Sequence, residues 1–193
     1  SAERIFYNDK INRSKDYILH IGTFEKRKDL LTLVKAFKLL KDNTNSKLKL
    51  ILAGSKNFNG NKQVYREIKR YITKNNLISF VIIPGYIKKK QAIYYYNNAF
   101  CYVFPSIDEG FGIPLIEAMR AQLPVICSDT EIFKEIGDDS VIYFKKQDHN
   151  DLFSKLKLVT QDNMIIEGLV KRAIKRANLF NQKNFIKGFE KLY

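Results

Sequence analysis

From Asp16 onward, short apolar runs rich in β-branched and aromatic residues alternate with stretches whose apolar positions recur every three or four residues. That alternation predicts strands joined by crossover helices, an α/β fold with a doubly wound parallel sheet. The predicted strands cover 17–22, 48–53, 79–83, 100–104, 124–127 and 141–144. Most are unbroken apolar runs, as expected for strands covered on both faces. Leu30, Val34, Phe37 and Leu40, with Lys35, Lys38 and Lys41 opposite, mark an amphipathic helix. Similar stretches follow at 63–74, 89–98 and 113–121. Beyond residue 150 only helical periodicity appears, in Leu152, Leu156 and Val159, then Ile166, Val170 and Ile174, then Phe185 and Phe189, so the chain is expected to end in a helical cluster.

At 193 residues the chain suits one domain, expected over 16–193 behind a lead-in of residues 1–15. A hydrophobic fraction of 45% excludes a disordered polyelectrolyte despite a net charge of +14. That charge attracts any polyanion and singles out none. Apolar runs such as 77–84 and 99–105 are far shorter than the ~18 residues of a spanning helix. No charged segment followed by an apolar stretch opens the sequence. Cys101 and Cys127 lie in apolar runs without CxxC spacing and read as buried, reduced thiols. The expected location is cytoplasmic.

Glycines follow several predicted strands, at Gly22, Gly54, Gly85 and Gly110 with Gly112. The carboxyl edge of the sheet is therefore built from tight turns, at the edge where doubly wound sheets bind ligands. The most informative stretch runs from Pro105 to Met119, where a strand ends, a Gly-rich loop follows and a helix begins. Pro114 suits a first helical turn. The helix start directs free amides and positive dipole at the loop, which favours phosphate. Glu109 and Glu117 flank that position. Carboxylates so placed are poor phosphate holders and good acceptors for hydroxyls on either side of a diphosphate, the chemistry of a nucleotide sugar.

Pro105-Ser106-x-x-Glu109-Gly110-Phe111-Gly112-Ile113-Pro114-Leu115-Ile116-Glu117-Ala118-Met119, followed by Pro124-Val125-Ile126, resembles the signature of group 1, or family 4, of the retaining glycosyltransferases of GT-B architecture. Three other segments are similar to that family's landmarks in the expected order. They are Ile21-Gly22-Thr23 with Arg27-Lys28-Asp29-Leu30, Pro84-Gly85-Tyr86 with Ile87, and Glu135-Ile136-Gly137-Asp138. The resemblance implies a Rossmann-like C-terminal half of a GT-B enzyme. Its activity would be transfer of a hexosyl group from a UDP-, GDP- or ADP-linked sugar to a glycan, lipid-linked or other acceptor. It implies that Glu109, Lys28 and Arg27 are the catalytic residues: the cations neutralise the departing diphosphate, and Glu109 holds sugar hydroxyls. It further implies donor contacts from Gly22, Thr23, Tyr86, Ile87, Gly110, Phe111, Gly112, Ile113 and Glu117, the last with the ribose. No metal and no other cofactor is expected. Asp-x-Asp is absent, and helix dipole and basic side chains replace an ion.

Two positions depart from the pattern: Thr23 where many members carry Arg, and Gln122 where many carry Gly. Full enzymes of this type also have an N-terminal domain that supplies the acceptor site. The donor half alone is expected to bind donor without completing transfer. A peripheral contact of the whole enzyme with the inner face of the membrane is compatible with its basic surface.

Other classes fit less well. Gly110-Phe111-Gly112 is followed by Leu115 rather than the third glycine of a dinucleotide fingerprint. A GT-B-like sugar-nucleotide epimerase would need carboxylates and histidines absent from this pattern, and His20 and His149 read as structural. A basic nucleic-acid-binding module could draw on Lys88-Lys89-Lys90 and Tyr94-Tyr95-Tyr96. Those tyrosines fall on a predicted helix where at least one should face the core, so no nucleic-acid partner is expected.

Overall fold

The computed structural model describes residues 15–57 and 62–180. The expected lead-in up to residue 14 and the helix carrying Phe185 and Phe189 lie outside them. Among the described residues, six strands form one parallel sheet in the order β3-β2-β1-β4-β5-β6. They are β1 (Tyr17–Ile21), β2 (Lys49–Ala53), β3 (Val81–Gly85), β4 (Cys101–Phe104), β5 (Val125–Ser128) and β6 (Ile142–Phe144). The helices between and after them are α1 (Leu30–Asn43), α2 (Gln63–Lys74), α3 (Lys89–Asn98), α4 (Ile113–Arg120), α5 (Glu131–Gly137), α6 (His149–Gln161) and α7 (Asn163–Ala177). This is the expected doubly wound α/β fold, with helices closing the described chain.

Successive strand residues point to opposite faces. Ile18, Leu50, Leu52, Val103 and Ile126 pack under α1, α2 and α6. Leu19, Ile51, Tyr102, Phe104, Val125 and Cys127 pack under α3, α4, α5 and α7. Two buried layers explain why the strands read as continuous apolar runs rather than alternating ones. Both cysteines are buried, and burial pushes both thiols up. No helix among the described residues is long and apolar enough to cross a membrane.

Local chemistry moved both ends of one strand away from the sequence expectation and added one helix to it. The strand predicted from residue 79 begins at Val81, because the preceding residues close α2. Asn76 takes left-handed φ (57°), and the Leu77 amide donates to Ile72 O at 3.0 Å. The same strand continues through Pro84 to Gly85, which is possible because β3 is an edge strand. The helix α5 was not expected. Its seven residues present only Ile132, Phe133 and Ile136 to the core, too short a pattern to show a helical period.

The helix that leads out of the Gly-rich loop also ends in a left-handed turn. Gln122 has φ 59°, its amide donates to Met119 O at 3.0 Å, and the Leu123 amide donates to Ala118 O at 3.1 Å. That pair of bonds is a Schellman motif, which favours glycine at the left-handed position. Replacing Gln122 by Gly is expected to relieve about 1 kcal/mol of backbone strain. Thermal unfolding should show Tm raised by roughly 2–4 °C for a domain of this size. An unchanged or lower Tm would mean that contacts of the Gln122 side chain outweigh the strain.

Candidate functional site

The sheet order reverses between β1 and β4. The chain leaves β1 toward α1 on one face and leaves β4 toward α4 on the other. The two loops therefore diverge around a crevice at the carboxyl ends of these strands, where doubly wound folds bind ligands. The strand ends on one side of it are pinned by backbone bonds, from Gly22 N to Ala53 O at 2.9 Å and from Gly54 N to Gly85 O at 2.8 Å. Gly54 has φ 149°, and a Cβ there would lie 1.8 Å from Gly22 O. Only glycine permits this approach.

The basic residues after β1 stand outside α1. Lys26–Lys28 form a separate 3-10 turn, and Asp29, at φ 44°, separates it from the helix. The turn aims Lys28 inward. The Lys28 side chain is 8% exposed and the Glu109 side chain 9%, and Nζ is hydrogen-bonded and ion-paired to Glu109 Oε1. Nζ also lies 5.2 Å above the centre of the Phe104 ring. Arg27 Nη1 stands 2.9 Å from Glu109 Oε2 and donates to Asp108 O at 3.0 Å. Its Nε and Nη2 each lie 3.1 Å from the Glu25 carboxylate. The Ile107 amide donates to Arg27 O at 2.8 Å, so backbone and side chains together tie the β1 loop to the β4 loop.

Burial pushes the Glu109 carboxyl upward, but hydrogen bonds and charge from Lys28, joined by Arg27, hold it below the usual carboxylate range. Glu109, expected to face hydroxyls, thus has both oxygens on cations. The Thr23 hydroxyl, expected at the donor, donates to Glu25 Oε1. Glu25 was missed in the sequence. A signal was present in Thr23-x-Glu25-x-Arg27, whose members meet through a tight turn.

Across the crevice, Gly112 has φ 63° and precedes Ile113 and Pro114 in the first turn of α4. A Cβ at Gly112 would approach Ile136 Cδ1 to 3.0 Å and Phe133 Cε1 to 3.4 Å, so its absence lets α5 pack beneath the loop. The segment Glu135 to Asp138 thus acts as a wall, held to α7 by Arg176 donating to Ile136 O at 3.0 Å. Gly110 is exposed, as are the Phe111 and Ile113 side chains. Glu117, one turn into α4, accepts a 3.2 Å hydrogen bond from the Tyr96 hydroxyl. Burial raises the Glu117 carboxyl, and the Tyr96 bond opposes that shift. Tyr96 is the tyrosine of its run that faces the core, whereas Tyr94 is exposed. Tyr86 and Ile87 follow β3, two strands from the crevice centre. Tyr86 is 79% exposed and Ile87 packs partly on the core, so they form a rim rather than part of the ion cluster.

Beneath the site lies a buried histidine. His20 on β1 is fully buried, stacked on Tyr102 with ring centres 6.1 Å apart. Its Nδ1 lies 3.0 Å from Val103 O, and a Cβ on Gly22 would fall 2.7 Å from its Nε2. Burial lowers its pKa to about 4, and the charge of Lys28 adds to that shift. The imidazole is thus neutral at pH 7 and sets no second positive charge beside Lys28.

A family model described as "Glycosyl transferases group 1" matches residues 1–179. The O-antigen chain mannosyltransferase B of Escherichia coli is 30% identical over 168 residues, 87% of this chain and 43% of that protein. Among solved structures, sucrose-phosphate synthase from Thermosynechococcus elongatus matches 93% of this chain and 45% of its own, with TM-score 0.80 and 27% identity. HepE from Anabaena, solved with UDP and glucose, matches 85% of this chain and 44% of its own, with TM-score 0.77 and 17% identity, a likeness of fold. The chain spans less than half the length of each of these proteins.

His20 makes the stability of this crevice sensitive to acid. At pH 7 the group is neutral folded and unfolded and contributes no difference. As pH falls below its ordinary value of 6.5, the unfolded chain takes up the proton first, and folded stability declines until about pH 4. The expected loss is about 3 kcal/mol over that window. Urea unfolding of the wild type and of His20→Gln at pH 7, 6, 5 and 4 should show a shallower decline in the variant. Parallel curves would show that His20 ionises alike in both states.

Proposed function

Because this chain belongs to the group 1 glycosyl transferases, we propose that it is the donor-binding domain of a retaining, family 4 enzyme of GT-B architecture. The enzyme transfers a hexosyl group from a nucleotide-diphosphate sugar to a glycan or lipid-linked acceptor. The relatives named as O-antigen mannosyltransferases favour mannose as the sugar and a cell-surface polysaccharide as the product. The observation that carries this reading is the meeting of Lys28, Arg27 and Glu109 at the switch point, opposite the amino end of α4.

A diphosphate fits between these cations and the amino end of α4, where Pro114 carries no amide hydrogen and the Leu115 amide is taken by Gly112 O at 2.9 Å, so the helix offers its dipole and the Ile113 amide. Lys28 and Arg27 stabilise the negative charge that grows as the bond from the anomeric carbon to the diphosphate oxygen breaks. They supply the role that a bound metal fills in other transferases. Glu109 accepts sugar hydroxyls, and Glu117, held by Tyr96, accepts ribose hydroxyls. Retention follows if the acceptor hydroxyl attacks from the face the diphosphate leaves, passing its proton to the departing phosphate oxygen. Tyr86 and Ile87 border the base. The acceptor site belongs to an N-terminal domain, and the basic surface is suited to peripheral contact with an anionic membrane from the cytoplasmic side.

Calorimetric titration of the chain with GDP, UDP and ADP, without added metal, tests the donor site. One nucleotide should bind. Glu117→Ala and Lys28→Ala should each weaken it by about tenfold, the effect of losing one charge-assisted hydrogen bond. Absence of binding by all three up to millimolar concentration, in a chain with native circular dichroism, would overturn the donor-binding assignment.

A further inference from the structure

Two carboxylates, Glu25 and Glu109, face two cations, Arg27 and Lys28, within one connected cluster. Their charges cancel. Glu109 gives one oxygen to Lys28 and the other to Arg27, while Arg27 divides its remaining contacts between Glu25 and Asp108 O. A diphosphate that takes both cations competes with the Glu109 carboxylate, which already holds one with each oxygen. A carboxylate displaced there is buried and would stand beside a second anion. Both the lost pairing and the repulsion oppose binding.

A sugar on the diphosphate changes that balance. Its hydroxyls are donors, and they can satisfy the carboxylate oxygens as the cations move to phosphate. A free nucleotide has no sugar beyond its terminal phosphate and leaves Glu109 unpaired.

We propose that Glu109 is a specificity-determining residue that separates a nucleotide sugar from a free nucleotide by competing with the diphosphate for Lys28 and Arg27. This rests on the donor-binding reading above and adds to it a coupling between the two halves of the donor. Diphosphate and sugar hydroxyls bind cooperatively because each relieves the group that the other displaces. The free nucleotide left after transfer is held less well than the donor.

A role for Glu109 as a mere support for Lys28 predicts the opposite sign for its neutralisation. Glu109→Gln keeps an amide oxygen for Lys28 and removes the competing charge. The 193-residue chain, wild type and variant, is titrated with inorganic pyrophosphate, with GDP and GDP-mannose, and with UDP and UDP-glucose. In the variant, pyrophosphate and whichever nucleotide binds should bind about five- to tenfold tighter, and the matching nucleotide sugar equally or more weakly. The preference for the sugar-bearing ligand should collapse. If Glu109→Gln loses its native melting transition, Glu109→Asp serves instead. One methylene shorter, it bridges the two cations less well and should tighten the nucleotide by a smaller factor. Nucleotide binding that is unchanged or weaker in the folded variant overturns the competition and leaves the donor site standing. No binding of any ligand to wild type or variant overturns both.

Discussion

A buried ion pair between residues 81 positions apart, Lys28 and Glu109, closes the crevice that the reversal of strand order opens. The loops that carry these residues lead to helices on opposite faces of the sheet, and the pairing of β1 with β4 reaches only to Leu19 and Tyr102, short of the loops. Opposite charges removed from water attract strongly, and each is costly to leave alone, by about 3–5 kcal/mol for a broken buried pair. The pair therefore constrains both loops at once. Arg27 and Glu25 extend it toward solvent, and the Ile107 amide bond to Arg27 O fixes the register between the loops.

Much of the architecture was legible because a parallel sheet covered on both faces must be apolar along its strands. The helices α2 and α3 begin and end where period and flanking residues placed them. The boundaries that moved depended on backbone geometry that composition hides, as at Asn76, or on position in the sheet, as at Pro84, which an edge tolerates and an interior strand would not. The short α5 was invisible because two turns contain too few apolar positions to define a face.

The candidate site was legible in its residues and not in its partnerships. Turn chemistry and spacing picked out Glu109, Glu117 and the glycines, and the family resemblance picked out Lys28 and Arg27. They gave no sign that Glu109 holds both cations, that Thr23 serves Glu25, or that Tyr96 serves Glu117. Those pairings join segments that meet only after the sheet has formed. Lysine, arginine and glutamate are also common enough that sequence proximity says little about contact. The glycines tell a similar story: Gly54 reads as a strand terminator, yet its constraint is the carbonyl of Gly22 one strand away.

The two cysteines have a practical consequence. Cys101 and Cys127 lie inside the opposite core layers, with thiols that burial keeps protonated and unreachable. The native fold is therefore silent toward maleimides. A single cysteine placed on the exposed rim, for instance by Tyr86→Cys, gives a chain that accepts one fluorophore or spin label with both native cysteines left in place. Changes in the surroundings of the β3 rim can then be followed by spectroscopy.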